Sequence, residues 1–394
     1  MPVTTPTRPL TSLLILALLL AGPVASAWAL DVRVGYIEWQ PDPGPVLSTT
    51  LHAPDDAGLR GAELGIADNN STGRFMDQHY TLDSVVADSP EAARQALADM
   101  AAAGTGLFVL NVPADLLRSL ADAAGDDALV FNAGARDDAL RTAECPANLL
   151  HTVPSRAMLT DALGQWLSKR QWREVFVIPG PTDADRAWTA AFERAAQRFG
   201  LKIVDEKPWT FDADLRRTAS AELPRFTQGD DYDVVVVADE RGDFGEYVPF
   251  NTWLPRPVVG TQGMSPEAWH RSIENWGAGQ LQSRFEALTG RSMISDDYAA
   301  WAAVRAIGEG VIRTQQASAG ELRRYLLSDD FQLGGFKGRK LTFRRWNGQL
   351  RQPILLVHPR GLVSLSPQAG FLHPNTELDT LGYDAPESRC RIAD

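Results

Sequence analysis

Short apolar runs and longer amphipathic segments alternate along this chain twice over, and that alternation restricts each half to a parallel sheet covered by helices. In the first half, Asp31–Ile37, His79–Val86, Leu107–Leu110 and Ala128–Phe131 have strand character, and Leu59–Asn69 and Glu91–Ala103 are amphipathic at helical spacing. Pro90 and Gly104 bracket the second of these helices, and Pro113 opens a third. The pattern restarts after Pro154. Arg156–Lys169 is predicted helical, Glu174–Ile178 a strand, and Ala184–Phe199 a helix stopped by Gly200. Strands follow at Leu201–Asp205 and at the strongly apolar Asp233–Ala238, with Pro257–Gly260 as a candidate sheet edge. Ser265–Leu327 reads as largely helical, most clearly over Asp297–Arg313, before strand character returns at Lys340–Phe343 and Pro353–His358. Helices that return after the second sheet imply more than one crossing between halves. The expected organisation is an α/β protein of two lobes, with residues 30–150 and 264–330 in lobe 1, 151–263 and 331–365 in lobe 2, and a tail from 366 to 394.

The first 29 residues belong to neither lobe. Arg8 precedes the apolar run Leu13–Leu20, and Ala27-Trp-Ala29 offers small residues beside a cleavage point, so residues 1–29 read as a signal peptide cut near Ala29. The run is too short for a stable membrane anchor. The product is expected in the periplasm, as a monomer. A formal net charge of −12 argues against nucleic-acid or anionic-membrane partners, which need a positive surface. Cys145 and Cys390 are the two cysteines, and in an exported protein they are expected to pair as a disulfide.

The stretch Phe131–Ser155 holds the candidate ligand loop. Its strand ends in Asn132-Ala-Gly-Ala135, small residues at the carboxyl edge of a sheet, where open α/β folds bind ligands. Arg136 and Arg141 follow, each able to meet a carboxylate or phosphate in bidentate fashion, or else to pair locally with Asp137, Asp138 or Glu144. No His-Glu-x-x-His, Gly-x-Ser-x-Gly or phosphate-binding Gly-rich motif stands in the right context, and the six histidines are scattered. The chain is therefore expected not to be an enzyme, with no catalytic residues, no metal site and no required cofactor.

Two α/β lobes behind a signal peptide, Arg60-Gly-Ala-Glu-Leu-Gly65, Asp297-Tyr-Ala-Ala-Trp-Ala302, and the Phe336-Lys-Gly338 to Leu341-Thr-Phe343 hairpin with Asn347-Gly348 resemble the type I periplasmic binding proteins of branched-chain amino-acid ABC transporters. The likeness runs from about residue 31 to 360. A narrower likeness rests on Asn132–Ala135 with Asp138, Leu140 and Arg141, His151–Ser155, Val237–Glu240, Gln280–Gln282 with Arg284-Phe285, Leu350–Pro353, and Ser366-Pro-Gln368, Gly370–His373 and Leu378–Gly382 in the tail. These resemble the branch associated with pyrroloquinoline quinone (PQQ)-dependent alcohol dehydrogenase systems. The resemblance implies a type I fold with its ligand cleft between the lobes, closure by hinge rotation, an ABC transporter permease as partner, PQQ as ligand, and a PQQ-dependent dehydrogenase as a second partner. Where the amino-acid binders carry a hydroxyl pair after the third strand, this chain has Asn111-Val-Pro-Ala114.

PQQ is a flat aromatic o-quinone with three carboxylates, so its site needs cations at the rim and an aromatic wall. Arg136 and Arg141 from lobe 1 and Arg186 and Arg241 from lobe 2 are the candidate cations, with Trp39 and Trp188 as candidate walls. Packing in a core competes for each Trp, a local ion pair competes for Arg241, and Arg156 is held in reserve. The alternatives are a binder of amino acids or aromatic acids, and a ligand-sensing accessory subunit of a dehydrogenase.

Overall fold

The computed structural model describes residues 1–4, 30–42, 44, 54–210 and 215–392. Of the expected signal peptide, residues 1–29, all but the first four residues lie outside the described residues. The first sheet contains β1 (Leu30–Glu38), β2 (Gln78–Val86), β3 (Leu107–Asn111), β4 (Leu129–Asn132) and β5 (Leu149–His151), all parallel in the order β2-β1-β3-β4-β5. Helices α1 (Leu59–Gly73), α2 (Pro90–Ala102), α3 (Ala114–Ala124) and the single turn α4 (Ala139–Thr142) connect them. Helix α2 starts where it does because Ser89 Oγ accepts from the Ala92 N–H and Pro90 fills the first turn, where a missing N–H costs nothing. Both faces of the sheet are covered. Val32, Val34 and Val109 lie in one core and Ile37, Phe108 and Leu110 in the other, the two-residue period of a strand buried on both sides.

The second sheet repeats the plan with β6 (Glu174–Pro179), β7 (Lys202–Glu206), β8 (Val234–Ala238) and β9 (Val258–Gly260) in the order β7-β6-β8-β9, again parallel. Its helices are α5 (Arg156–Lys169), α6 (Asp183–Phe199) and α7 (Leu215–Phe226). Thr182 and Asp185 form a reciprocal capping box at the start of α6, and Gly200 takes the left-handed conformation that ends it. Every residue of β8 is buried. Helices α8 (Ala278–Thr289), α9 (Ser295–Thr314) and α10 (Ala319–Leu326) then return to the first lobe. There α9 lies so close to α1 that a Cβ on Gly61 would fall 1.9 Å from the Asp297 carbonyl oxygen.

The crossings are built from β10 (Ser265–Glu267), β14 (Ile354–His358) and β15 (Gly361–Ser366), an antiparallel sheet in the order β10-β14-β15. Strand β14 serves both lobes. Leu355 and Val357 enter the first-lobe core, and Ile354 and Leu356 the second. Before it come the short strands β11 (Leu333–Gly334), β12 (Lys340–Phe343) and β13 (Leu350–Arg351).

Several expectations change here. Ser265–Glu267 is a strand and not the start of a helix, since Pro266 is tolerated on the edge of a small sheet. Leu333, Leu341, Phe343 and Leu350 pack in the first-lobe core, so the boundary expected near residue 331 lies closer to β14. Strand β5 is three residues long, too short for a periodic signal, and α7 carries Pro224 inside it, which hides a helix from its sequence.

Candidate ligand site between the lobes

Both sheets change winding direction at one point, and the two points mark the site. In the first sheet β1 and β3 are neighbours with their connections leaving in opposite directions, and in the second β6 and β8 are. The carboxyl ends of strands at such switch points leave a crevice that helices do not fill. The backbone shows the same local solution twice: the Trp39 N–H donates to the Asn111 carbonyl at 3.2 Å, and the Gly180 N–H to the Ala238 carbonyl at 2.8 Å.

On the first-lobe side, Glu38 ends β1 and accepts a 2.5 Å hydrogen bond from the Tyr36 hydroxyl. Burial raises the Glu38 carboxyl above its usual value, with the Tyr36 and Asn111 hydrogen bonds opposing the shift. Asn111, at the end of β3, accepts from Gln40 Nε2 at 3.1 Å. Gly134 approaches so closely that a Cβ there would lie 2.3 Å from Asn111 Oδ1, which is why a residue without a side chain stands in this loop. Asn132 organises the same loop: its Oδ1 accepts from the Gly134 and Ala135 N–H groups and its Nδ2 donates to the Ala135 carbonyl.

That loop delivers Arg136, which donates from Nη2 to Asp296 at the start of α9, at 2.7 Å. Asp296, then Glu240 and Glu267 further off, hold the guanidinium more firmly charged than usual. Glu267 accepts from Ser295 Oγ at 2.6 Å, and burial raises its carboxyl. On the second-lobe side Arg156, at the first turn of α5, grips Glu240 with Nε and Nη2 at 2.8–3.2 Å. Its Nη1 lies 3.3 Å from Asp137 of the first lobe. Burial works against the Arg156 charge, but Glu240 and Asp137 hold it on. Glu240 is positioned in turn through its N–H, which donates to Asp185 Oδ1 at 2.8 Å. Asp239 accepts three backbone N–H groups, from Asp243, Phe244 and Gly245, and so fixes the loop after β8.

The expected site residues separate into those the fold gathers and those it does not. Arg136 stands at the cleft beside Arg156, and Trp39 leans partly buried against the outer-face core at the mouth of β1. Arg241 borders the same second-lobe loop, 3.3 Å from Asp243. Arg186 points away, 60% exposed, with Asp183 and the Pro181 carbonyl as partners. Arg141 is a correction. It is 1% exposed, and its guanidinium is spent on Gln349 and on the carbonyls of Ala135, Asp137 and Val153, all at 2.9–3.1 Å. Trp188 is another correction: it is 2% exposed and stacks on Phe192 with ring centres 5.8 Å apart inside the second-lobe core. An amphipathic helix that must bury one face explains Trp188 without a ligand. Cys145 and Cys390 are bonded, their Cα atoms 5.7 Å apart. Glu38, Glu240, Glu267 and Asp296 were missed. Glu38 is the last residue of β1 and Glu240 stands two residues after β8, and that position at strand ends was the signal available for them.

The family model for periplasmic binding proteins matches residues 47–223. No curated protein matches the chain. Among solved structures, a branched-chain amino-acid ABC transporter periplasmic ligand-binding protein from Burkholderia xenovorans LB400 is similar at a TM-score of 0.73 and 14% identity, over 92% of this chain and 100% of that one. A leucine-, isoleucine-, valine-, threonine- and alanine-binding protein from Brucella ovis, in its closed conformation, is similar at 0.67 and 13%, over 89% and 93%. An ABC transporter solute-binding protein from R. palustris in complex with benzoate is similar at 0.64 and 14%, over 85% and 96%. At these identities the likeness is one of architecture, and this chain has the two-lobed α/β fold of type I periplasmic binding proteins.

Proposed function

We propose that this protein is the periplasmic solute-binding component of an ABC transporter, and that it holds a carboxylated small molecule, PQQ or a relative of it, between the two switch points. The observation that carries the reading is the pair Arg136 and Arg156, one on each side of the first crossing and both set at the cleft. A ligand carboxylate would replace Asp296 at Arg136 or Glu240 at Arg156, exchanging one charge-assisted pair for another, while Trp39 offers an aromatic face at the rim. Bridging both lobes, such a ligand stabilises the arrangement in which both cations reach it, and this differential affinity is what drives hinge closure. Delivery to a membrane permease, and a dehydrogenase as an alternative recipient of the bound quinone, belong to the same proposal.

A second reading has its own observation. Glu38, Glu240, Glu267 and Asp296 outnumber the two cations, and a ligand ammonium would find partners among them. Titration calorimetry of refolded, ligand-stripped protein against PQQ, leucine and benzoate separates the two. The first reading expects one-to-one binding of PQQ and a tenfold to hundredfold loss for Arg136→Ala or Arg156→Ala, since hydrogen bonds to charged groups are worth about 1.5–3 kcal/mol. Heat for leucine with none for PQQ would install the amino-acid reading. No heat for PQQ in protein whose melting curve shows it folded refutes the quinone proposal.

A further inference from the structure

Outside the cleft, the chain after β15 does something a two-lobed hinge protein does not require. From Ser366 it lies along the second lobe. Ser366 Oγ donates to the Ala162 carbonyl at 2.9 Å, and the Gln368 N–H to Gln165 Oε1 at 2.9 Å. Gln165 Nε2 reaches Thr380 Oγ1 at 3.1 Å, and Leu381 enters the second-lobe core. Gly382 is gripped hardest. Its N–H donates to buried Asp161 at 2.7 Å, and its carbonyl accepts from Arg194 and Arg198 at 3.1 and 2.8 Å. A positive φ of 81° and the nearness of Met158 both call for glycine there.

At the same place the tail is held from the other lobe. Arg344, in the hairpin after β12, donates to Asp379 at 2.8 Å and to the Leu381 carbonyl at 2.6 Å. Beyond Gly382 the chain crosses over, with Glu387 still pairing with second-lobe Arg194 at 3.4 Å before Ser388 reaches the first lobe. Ser388 Oγ donates to the Arg141 carbonyl and the Arg389 N–H to the Thr142 carbonyl, both at 2.8 Å. Cys390 is bonded to Cys145, and Ile392 is buried in the first-lobe core, its N–H donating to the Trp346 carbonyl at 3.2 Å and its carbonyl accepting from Arg323.

We infer that residues 382–392 form a strap across the hinge, anchored on the second lobe at Gly382 and on the first by the Cys145–Cys390 disulfide, and that it limits how far the lobes open. The link from Gly382 to Cys390 spans at most about 28 Å when fully extended, and less while Ala385–Glu387 keeps its turn. The other crossings are continuous chain that can twist as a hinge. The strap joins the two lobes by a separate route, and rotation must break its contacts or stretch it. Its consequence for ligand release rests on the proposed binding function, because a receptor held near its binding arrangement loses less affinity to the open population.

The test reads lobe separation without ligand, so failure to bind PQQ leaves it intact. Spin labels carried on ketone side chains replace exposed Gln95 in the first lobe and Gln197 in the second, and their distance distribution is measured by double electron–electron resonance. Two variants are compared with the parent. One is Cys145→Ser with Cys390→Ser. The other keeps the disulfide and inserts Gly-Ser-Gly-Ser between Tyr383 and Asp384, which adds up to about 13 Å of reach without touching either anchor. We expect both distributions to broaden and gain separations longer by up to that amount. Unchanged distances in the insertion variant, in protein that melts as one folded species, overturn the strap. A change in the insertion variant with none in the double Ser variant overturns the disulfide as its anchor.

Discussion

Arg141 gives the sharpest test, because sequence reasoning placed it on the ligand and the structure places it in the core. Truncating Arg141→Ala takes from the Asp137 carbonyl and from Gln349 Oε1 the donor that now satisfies them, while the Ala135 and Val153 carbonyls keep Asn132 Nδ2 and Gln349 Nε2. An unsatisfied buried acceptor costs about 1–3 kcal/mol. The sum is not the expected loss. Burial lowers the guanidinium to about 10, a measure of the desolvation that truncation relieves. Two such acceptors, together with the space vacated by a large buried side chain, make a net loss of about 3–5 kcal/mol the working figure. At about 2.1 cal/mol/K per residue, the roughly 365 residues after Ala29 give an unfolding entropy near 770 cal/mol/K, so 1 kcal/mol moves Tm by about 1.3 °C. Differential scanning calorimetry should therefore show a fall of about 4–6 °C. Arg141→Lys should recover only part of it, since an ammonium is a point donor where the guanidinium is a planar fork. Affinity measured below the lower Tm should stay within about twofold, or ~0.4 kcal/mol. A tenfold loss of affinity with Tm unmoved would refute the core assignment and restore Arg141 to the ligand.

Trp188→Ala empties a fully packed site against Phe192 and should cost about 3–5 kcal/mol in chemical denaturation, again with ligand affinity kept. Gly61→Ala drives a methyl into the Asp297 carbonyl, and overpacking of that kind costs about 1–3 kcal/mol; an unchanged denaturation midpoint would show that α1 and α9 separate easily. Lys337 is fully buried, with Gln352 Oε1 at 2.7 Å and the Tyr298 ring beneath it, and burial holds its amine well below the usual value of 10.5. Between that lowered value and 10.5 the unfolded chain binds a proton that the folded one does not, so stability should rise with pH across that window and Lys337→Met should flatten the slope. A melting profile of the parent that is no steeper than the variant's there would contradict the buried amine.

The alternation of apolar strands and amphipathic helices on either side of Pro154 was enough to specify two parallel, helix-covered sheets. The reason is local: a strand buried on both faces must be apolar throughout, and a covering helix must show one apolar stripe. Helix ends were legible on the same ground at Pro90 and Gly200. Strand β5, edge strand β10 and Pro-bearing α7 were not, because three residues carry no period and a proline argues against the element that tertiary contacts impose. Partnership was decided by the fold alone. Arg136 and Arg141 lie five positions apart in the connection after β4, yet one guanidinium stands at the cleft beside Asp296 and the other is enclosed by backbone carbonyls. Nothing in either residue's neighbours in sequence tells them apart. The difference comes from Gln349 and Asp296, far along the chain, which only the return of the chain to the first lobe brings within hydrogen-bonding reach.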